Sequence, residues 1–65
     1  KMKILVVILL GVKLNYVHYP MKYEDCFDSF MFTVKKISKY QNQINNIDQG
    51  YYTKDGRLVV GYYCK

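Results

Sequence analysis

Tryptophan is absent from this chain of 65 residues, and proline, histidine and arginine each occur once. Because Arg57 is the single arginine, the ten basic residues are almost all lysines. Proteins that read nucleic-acid bases rely on arginine for bidentate hydrogen bonds, so its scarcity argues against base-specific recognition. The four glycines are scattered, and no glycine-rich phosphate loop is present.

Residues for metal binding or nucleophilic catalysis are equally few. Cys26, Cys64 and His18 show no paired Cys-x-x-Cys spacing, so a zinc site is not expected. A cysteine–histidine pair would need an oxyanion or orienting group, and none is evident. We therefore expect a protein that is not an enzyme and that uses no metal or cofactor.

The composition is that of one small folded domain, residues 1–65, with a small core. Hydrophobic residues make up 51% of the chain, which is too apolar for a disordered protein. Eight of the aromatic residues are tyrosines, whose apolar ring and polar hydroxyl suit interfaces. The net charge of +5 permits attraction to nucleic acid, anionic lipid or an acidic protein, without choosing among them.

The apolar run Ile4–Leu10 follows two lysines at residues 1–3, an arrangement that resembles the start of a signal peptide. No small-x-small cleavage site follows the run, and it is far shorter than the about 20 apolar residues of a membrane-spanning helix. Its β-branched residues, and Gly11 at its end, predict a buried strand instead.

Three further segments are predicted to be strands. Leu14–Tyr19 is rich in tyrosine and valine and ends at Pro20, which lacks a backbone N–H. Tyr51–Thr53 and Leu58–Cys64 flank Asp55-Gly56, which is a strong signal for a hairpin turn.

Between the strand pairs, apolar residues recur every three or four positions and predict a helix. It starts at Tyr23, frays near Asn42–Asn46 and ends before Gly50. Its predicted core face consists of Tyr23, Cys26, Phe27, Phe30, Val34, Ile37, Gln41 and Ile44. The elements together predict an α+β fold, a small antiparallel sheet (β-β-α-β-β) with one helix packed on one face. The alternative is β-α-β-β, with residues 11–22 as a loop.

The two cysteines fall on elements that can face each other. Cys26 lies on the core face of the helix, and strand alternation puts Leu58, Val60, Tyr62 and Cys64 on one side of the last strand. If that side faces the helix, Cys26 and Cys64 form a disulfide worth roughly 3–4 kcal/mol in the chain-entropy model. The alternative is a pair of buried free thiols in a reducing cytosol.

Two surfaces are candidates for partner binding. A single helix covers one face of a sheet only, and the uncovered face is predicted to carry Val59, Gly61, Tyr63, Tyr16 or Tyr19, and Tyr51 or Tyr52. We interpret this aromatic face as a partner or dimer surface. The second surface centres on Phe32, opposite the core face of the helix, among Asp28, Lys35, Lys36 and Lys39. Phe32 is predicted to cover nothing inside the molecule, either as a lone exposed residue or as the centre of a charged binding patch.

The order of the pieces resembles that of small uncharacterised bacteriophage proteins. The matching segments are an apolar strand at Ile4–Leu10 and an aromatic strand at Leu14–Tyr19. They are followed by an acidic turn before a helical cysteine, Glu24-Asp25-Cys26, and by a C-terminal cysteine in Tyr62-Tyr63-Cys64. The chain departs from the pattern in lacking a capping residue just before Tyr23. The resemblance implies a protein that binds a host or defence protein, or a minor virion part.

The composition, the predicted surfaces and the resemblance are consistent with three functions. The first is a non-catalytic protein-binding module, phage-encoded, that modulates a host or defence protein or pairs with its own copy. The second is a minor structural component of a virion or other assembly. The third and least favoured is a non-specific nucleic-acid binder that uses lysine and stacked tyrosine. The expected location is the host cytoplasm or the virion, with secretion left open.

Overall fold

A computed structural model describes residues 3–45 and 47–65 of the chain. Lys1 and Met2, which precede the predicted first strand, lie outside the described residues, as does Asn46 at the predicted frayed end of the helix. The described part is one antiparallel sheet of five strands with a single helix, which confirms the predicted α+β class.

The chain order is β-β-α-β-β-β, one strand more than predicted. The elements are β1 (Ile4–Leu10), β2 (Leu14–Pro20), α1 (Cys26–Ile37), β3 (Ser38–Gln41), β4 (Gly50–Thr53) and β5 (Leu58–Cys64). The strands lie side by side in the order β2-β1-β5-β4-β3, and every neighbouring pair is antiparallel. The helix therefore carries the chain from one edge of the sheet to the other. In the described part of the chain, no helix is long and apolar enough to cross a membrane.

The helix begins at Cys26, three residues later than predicted. Asp25 is its N-cap, and the Asp25 carboxylate accepts a hydrogen bond of 3.0 Å from the backbone N–H of Asp28. Tyr23 therefore lies outside the helix. The cap that the sequence lacks just before Tyr23 is present three residues further on, as Asp25, a residue type that is strongly preferred there.

The helix also ends earlier than predicted, at Ile37. The next residue, Ser38, is extended, and both its backbone N–H and its hydroxyl donate to the carbonyl of Val34. These two bonds satisfy a carbonyl that the end of the helix would otherwise leave unpaired.

Strand β3 replaces the predicted last turns of the helix. Tyr40 in β3 pairs with Tyr51 in β4, and the two rings meet edge to face with centroids 5.3 Å apart. Gln41 and Ile44 consequently do not extend a helical core face. Cross-strand pairing between aromatic residues outweighs the helical spacing of these two positions.

The core lies between α1 and one face of the sheet. Its centre is formed by Leu5, Val7 and Leu9 of β1, each at most 2% exposed. As predicted, the helix packs Cys26, Phe30 and Ile37 against this centre. The ring of Phe30 stacks on the ring of Tyr62, with centroids 4.0 Å apart.

The buried face of the helix is rotated from the predicted one. Phe27, predicted in the core, is 55% exposed, whereas Ser29 and Thr33 are buried. The cause is the segment between β2 and α1, which folds against this side of the helix. The Ser29 hydroxyl accepts a bond of 2.9 Å from the N–H of Tyr23 and donates one of 2.7 Å to the carbonyl of Tyr23.

A β-bulge in β5 changes which side chains face the helix. Ile8 pairs with Gly61 and Leu9 pairs with Val59, so Val60 is an extra residue. Val59 therefore packs against the core on the helix side. The prediction that Val59 faces away from the helix is wrong, because strict alternation does not survive an inserted residue.

The bulge also reverses the side of the sheet on which Leu58 lies, whereas the residues after the bulge face the sides that were predicted. Leu58 pairs with Leu10 and so points away from the helix, opposite to the prediction. Beyond the bulge, Cys64 pairs with Leu5 on the helix side and meets Cys26. The two cysteines are joined as a disulfide, with Cα atoms 6.0 Å apart, which confirms the predicted pairing.

Candidate functional site

The sheet face that α1 does not cover is here called the open face. It consists of alternate residues of three strands, which the strand register brings into rows. One row is His18, Val6 and Tyr63, and the next is Tyr16, Ile8 and Gly61. The full set is Ile4, Val6, Ile8, Leu10, Leu14, Tyr16, His18, Pro20, Leu58, Gly61 and Tyr63.

Large apolar side chains are exposed over much of the open face. Tyr16 is 54% exposed, Leu14 49%, and Leu10 and Tyr63 42% each. Val6, in β1, is completely buried although no described element covers this face. The side chains around Val6 therefore close over it and form a continuous surface. Single exposed apolar residues are ordinary, but a contiguous set of this kind marks an interaction surface.

Among the described residues, charged side chains lie only at the ends of the open face. Its set contains no acidic residue, lysine or arginine. At one end Lys65 forms backbone hydrogen bonds with Ile4, and at the other Lys39 pairs with Tyr52. A centre depleted of charge inside a polar rim is the arrangement found in protein–protein interfaces.

The structure divides the predicted sheet-face residues between the two sides. Those on the open face or its margin are Tyr16, Tyr52, Gly61 and Tyr63. Those on the helix side are Tyr19, Tyr51 and Val59. Tyr52 adjoins the open face because it pairs with Leu58, and Tyr51 as its neighbour points the opposite way. Leu14 and His18 were missed, although the alternation through Tyr16 would have found them.

Phe32 is half-buried, not isolated on the surface as predicted. The ring of Tyr23 meets it edge to face, with centroids 5.8 Å apart. The ammonium nitrogens of Lys22 and Lys36 lie 5.5 Å and 4.8 Å from its ring centroid. The prediction that Phe32 covers nothing is wrong because the segment before the helix folds over it, and cation–π attraction holds two lysines there.

Of the charged residues predicted around Phe32, Asp28, Lys35 and Lys36 lie near it on the helix, and Lys39 lies on another element. Asp28 and Lys35 line a depression together with Phe32. Lys39 lies in β3 instead of on the helix, and lines another depression with Lys35. The predicted charged patch is therefore spread over two elements.

The turn between β4 and β5 is held by a small hydrogen-bond network. The Thr53 hydroxyl donates to the Asp55 carboxylate and accepts a bond of 3.1 Å from the backbone N–H of Arg57. Arg57 and Asp55 form an ion pair of 2.8 Å. The Thr53 hydrogen bond, followed by that of Arg57, holds the pKa of Asp55 below its usual value. Gly56 adopts φ 86°, as the Asp-Gly hairpin signal predicts.

Within the described residues, no group of three His, Cys, Asp or Glu side chains is placed to hold a metal ion. The chain matches no known protein family, and no curated protein or solved structure is significantly similar to it. Function is therefore inferred from the surface of the molecule itself.

Proposed function

We propose that this protein is a non-catalytic binding module that holds another protein against its open face. The observation that carries the proposal is the continuous apolar surface across β2, β1 and β5, whose charged residues, among those described, lie only at its ends. Tyrosine side chains are among those that contribute most binding energy at interfaces, and Tyr16 and Tyr63 lie on this face. The proposed partner is a host or defence protein met in the host cytoplasm, as the phage-like pattern implies.

The open face is well supported from behind. Its middle strand, β1, is paired on both sides, by β2 and by β5. In the oxidised protein, the disulfide from Cys26 to Cys64 also fastens the end of β5 to the helix behind it. A surface built on paired strands changes little on binding, which limits the conformational entropy lost in the complex.

A charge placed on the open face tests the proposal. We expect Tyr16→Glu to fold normally but to weaken partner binding at least about tenfold, because the partner would have to remove the carboxylate from water. Phe27→Glu is the matched control, since Phe27 is 55% exposed and Tyr16 is 54% exposed, and Phe27 lies on the helix.

The measurement is affinity capture from host lysate with the two variants and the unsubstituted protein, beside sedimentation of each protein alone. We expect the unsubstituted chain and Phe27→Glu to capture the same protein, and Tyr16→Glu to capture little of it. Equal capture by all three would place the interface elsewhere. Sedimentation shows whether the face instead pairs with its own copy.

The disulfide favours a second function, a minor structural component of a virion. Disulfides persist on virion surfaces and in other oxidising settings, and are rare in the cytosol. Alkylation of thiols in intact infected cells and in purified particles separates the two functions. Thiols that are modified in the cells support the cytosolic binding module, whereas an oxidised pair found only in particles supports the structural role.

A further inference from the structure

Three adjoining depressions surround the C-terminal end of α1 and are here called the basic groove. The first has a volume of about 480 Å³, and Lys35, Lys36, Lys39 and Lys54 are among its lining residues. The second, of about 310 Å³, and the third, of about 470 Å³, share Lys36 with the first. The third also shares Lys54 with it. Because they share lining residues, the three depressions form one continuous groove.

Positive charge is concentrated in the basic groove. Six of the ten basic residues line it: Lys22, Lys35, Lys36, Lys39, Lys54 and Arg57. Among the described residues, Asp55 is the one acidic side chain in its lining, and it is already paired with Arg57 at 2.8 Å. The lysines are thus left without acidic partners in the groove, and they generate a field that attracts a polyanion.

Aromatic rings are interleaved with the lysines along the basic groove. They belong to Tyr19, Phe32, Tyr40 and Tyr52. Tyr40 is 53% exposed, and its edge-to-face contact with Tyr51 fixes its orientation. Lysine beside exposed rings is the combination that binds single-stranded nucleic acid, because phosphates pair with the ammonium groups and bases stack on the rings. An acidic polypeptide would use the charge but not the rings.

We propose that the basic groove binds single-stranded nucleic acid without base specificity, at a site distinct from the centre of the open face, with which it shares the marginal residues Pro20, Lys39 and Tyr52. The lack of specificity follows from the single arginine, because bidentate contacts with bases are made chiefly by arginine. The elongated groove suits a backbone of several nucleotides better than it suits one phosphate group. This proposal does not depend on what the open face binds.

The charge contribution is tested with Lys36→Gln/Lys54→Gln, which removes two lysines that the depressions share. Its matched control is Lys3→Gln/Lys65→Gln, because these two exposed lysines lie at paired strand ends and outside the groove lining. The probe is a fluorescein-labelled oligothymidylate of about 16 nucleotides, the upper site size of small single-strand binders. Fluorescence anisotropy is measured over a series of salt concentrations.

Each neutralised phosphate contributes about 0.7 to the slope of log affinity against log salt for a single strand. We therefore expect the slope of Lys36→Gln/Lys54→Gln to be about 1.4 less steep than that of the unsubstituted protein. The control should keep the original slope. Equal slopes for the two double variants, or no binding of the oligonucleotide at low salt, would overturn the proposal.

The stacking contribution is tested with Tyr40→Ala. We expect at least about a fivefold loss of oligonucleotide affinity at an unchanged salt slope, because stacking on one ring is lost. Tyr40→Phe should retain the affinity. Tyr16→Ala is the matched control, since Tyr16 is 54% exposed and lies outside the groove. Polyglutamate that binds as tightly as the oligonucleotide, together with no effect of Tyr40→Ala, would show a site for acidic polypeptide and overturn the proposal.

Discussion

Cys26→Ala/Cys64→Ala should lose about 3–4 kcal/mol of unfolding free energy relative to the oxidised protein. The bond joins residues 38 positions apart and so removes much of the conformational entropy of the unfolded chain. A chain of this size has few other sources of stability, because its core is small. The loss would therefore be a large fraction of the total stability and would show in urea-induced unfolding followed by circular dichroism.

Reductant provides the control for this prediction. Reducing the unsubstituted protein should lower its stability to nearly that of the double variant, and the double variant should not respond to reductant. Alkylation of the denatured, unreduced protein should modify neither cysteine. If both thiols are modified, or if reduction leaves the unfolding midpoint unchanged, the bond does not stabilise the protein.

The second large effect is expected at the bulge, where Val59→Glu should cost about 2–4 kcal/mol of stability. Val59 pairs with Leu9 and packs against the core on the helix side, so a carboxylate there would be placed among apolar side chains with no partner. The change should therefore unfold the molecule or raise the pKa of the new carboxyl group. Thermal unfolding followed by circular dichroism measures the cost.

Val60→Glu is the matched control for Val59→Glu, because Val60 is the neighbouring residue and is 47% exposed. We expect its melting temperature to stay within a few degrees of that of the unsubstituted protein, as is usual for a surface substitution. If Val60→Glu is the damaging change and Val59→Glu is tolerated, the bulge lies elsewhere and the register between β1 and β5 is different.

Features that depend on a few neighbouring residues could be predicted from the sequence. The apolar run of β1, the stop of β2 at Pro20 and the Asp55-Gly56 hairpin are all local patterns, and all three are present in the structure. The pairing of Cys26 with Cys64 followed from the face of the helix and from the last residues of β5. These residues lie beyond the bulge, where alternation is intact.

The errors lie where distant parts of the chain decide the structure. The end of the helix depends on the pairing of Tyr40 with Tyr51, which no local spacing reveals. The side taken by Val59 depends on Val60, since an inserted residue reverses the alternation on one side of it. The partial burial of Phe32 depends on the segment around Tyr23 folding back onto the helix.

The candidate site was accordingly predicted in part. Tyr16 and Tyr63 follow from alternation in single strands, and both lie on the open face. The basic groove could not be assembled from sequence, because Lys36 and Lys54 belong to α1 and to the turn after β4. These lysines come close together only because the helix ends at Ile37 and the chain continues as β3, which pairs with β4.

Footprinting of the tyrosine and phenylalanine rings by hydroxyl radicals, with the protein free and then in its captured complex, tests most directly whether the open face is the binding surface. Tyr16 and Tyr63 report on the open face, whereas Tyr23 and Phe27, which are 48% and 55% exposed, report on the opposite side. If the open face is the binding surface, the complex protects Tyr16 and Tyr63 and leaves the reactivity of Tyr23 and Phe27 unchanged. Protection of Tyr23 and Phe27 with unchanged reactivity at Tyr16 and Tyr63 would contradict it.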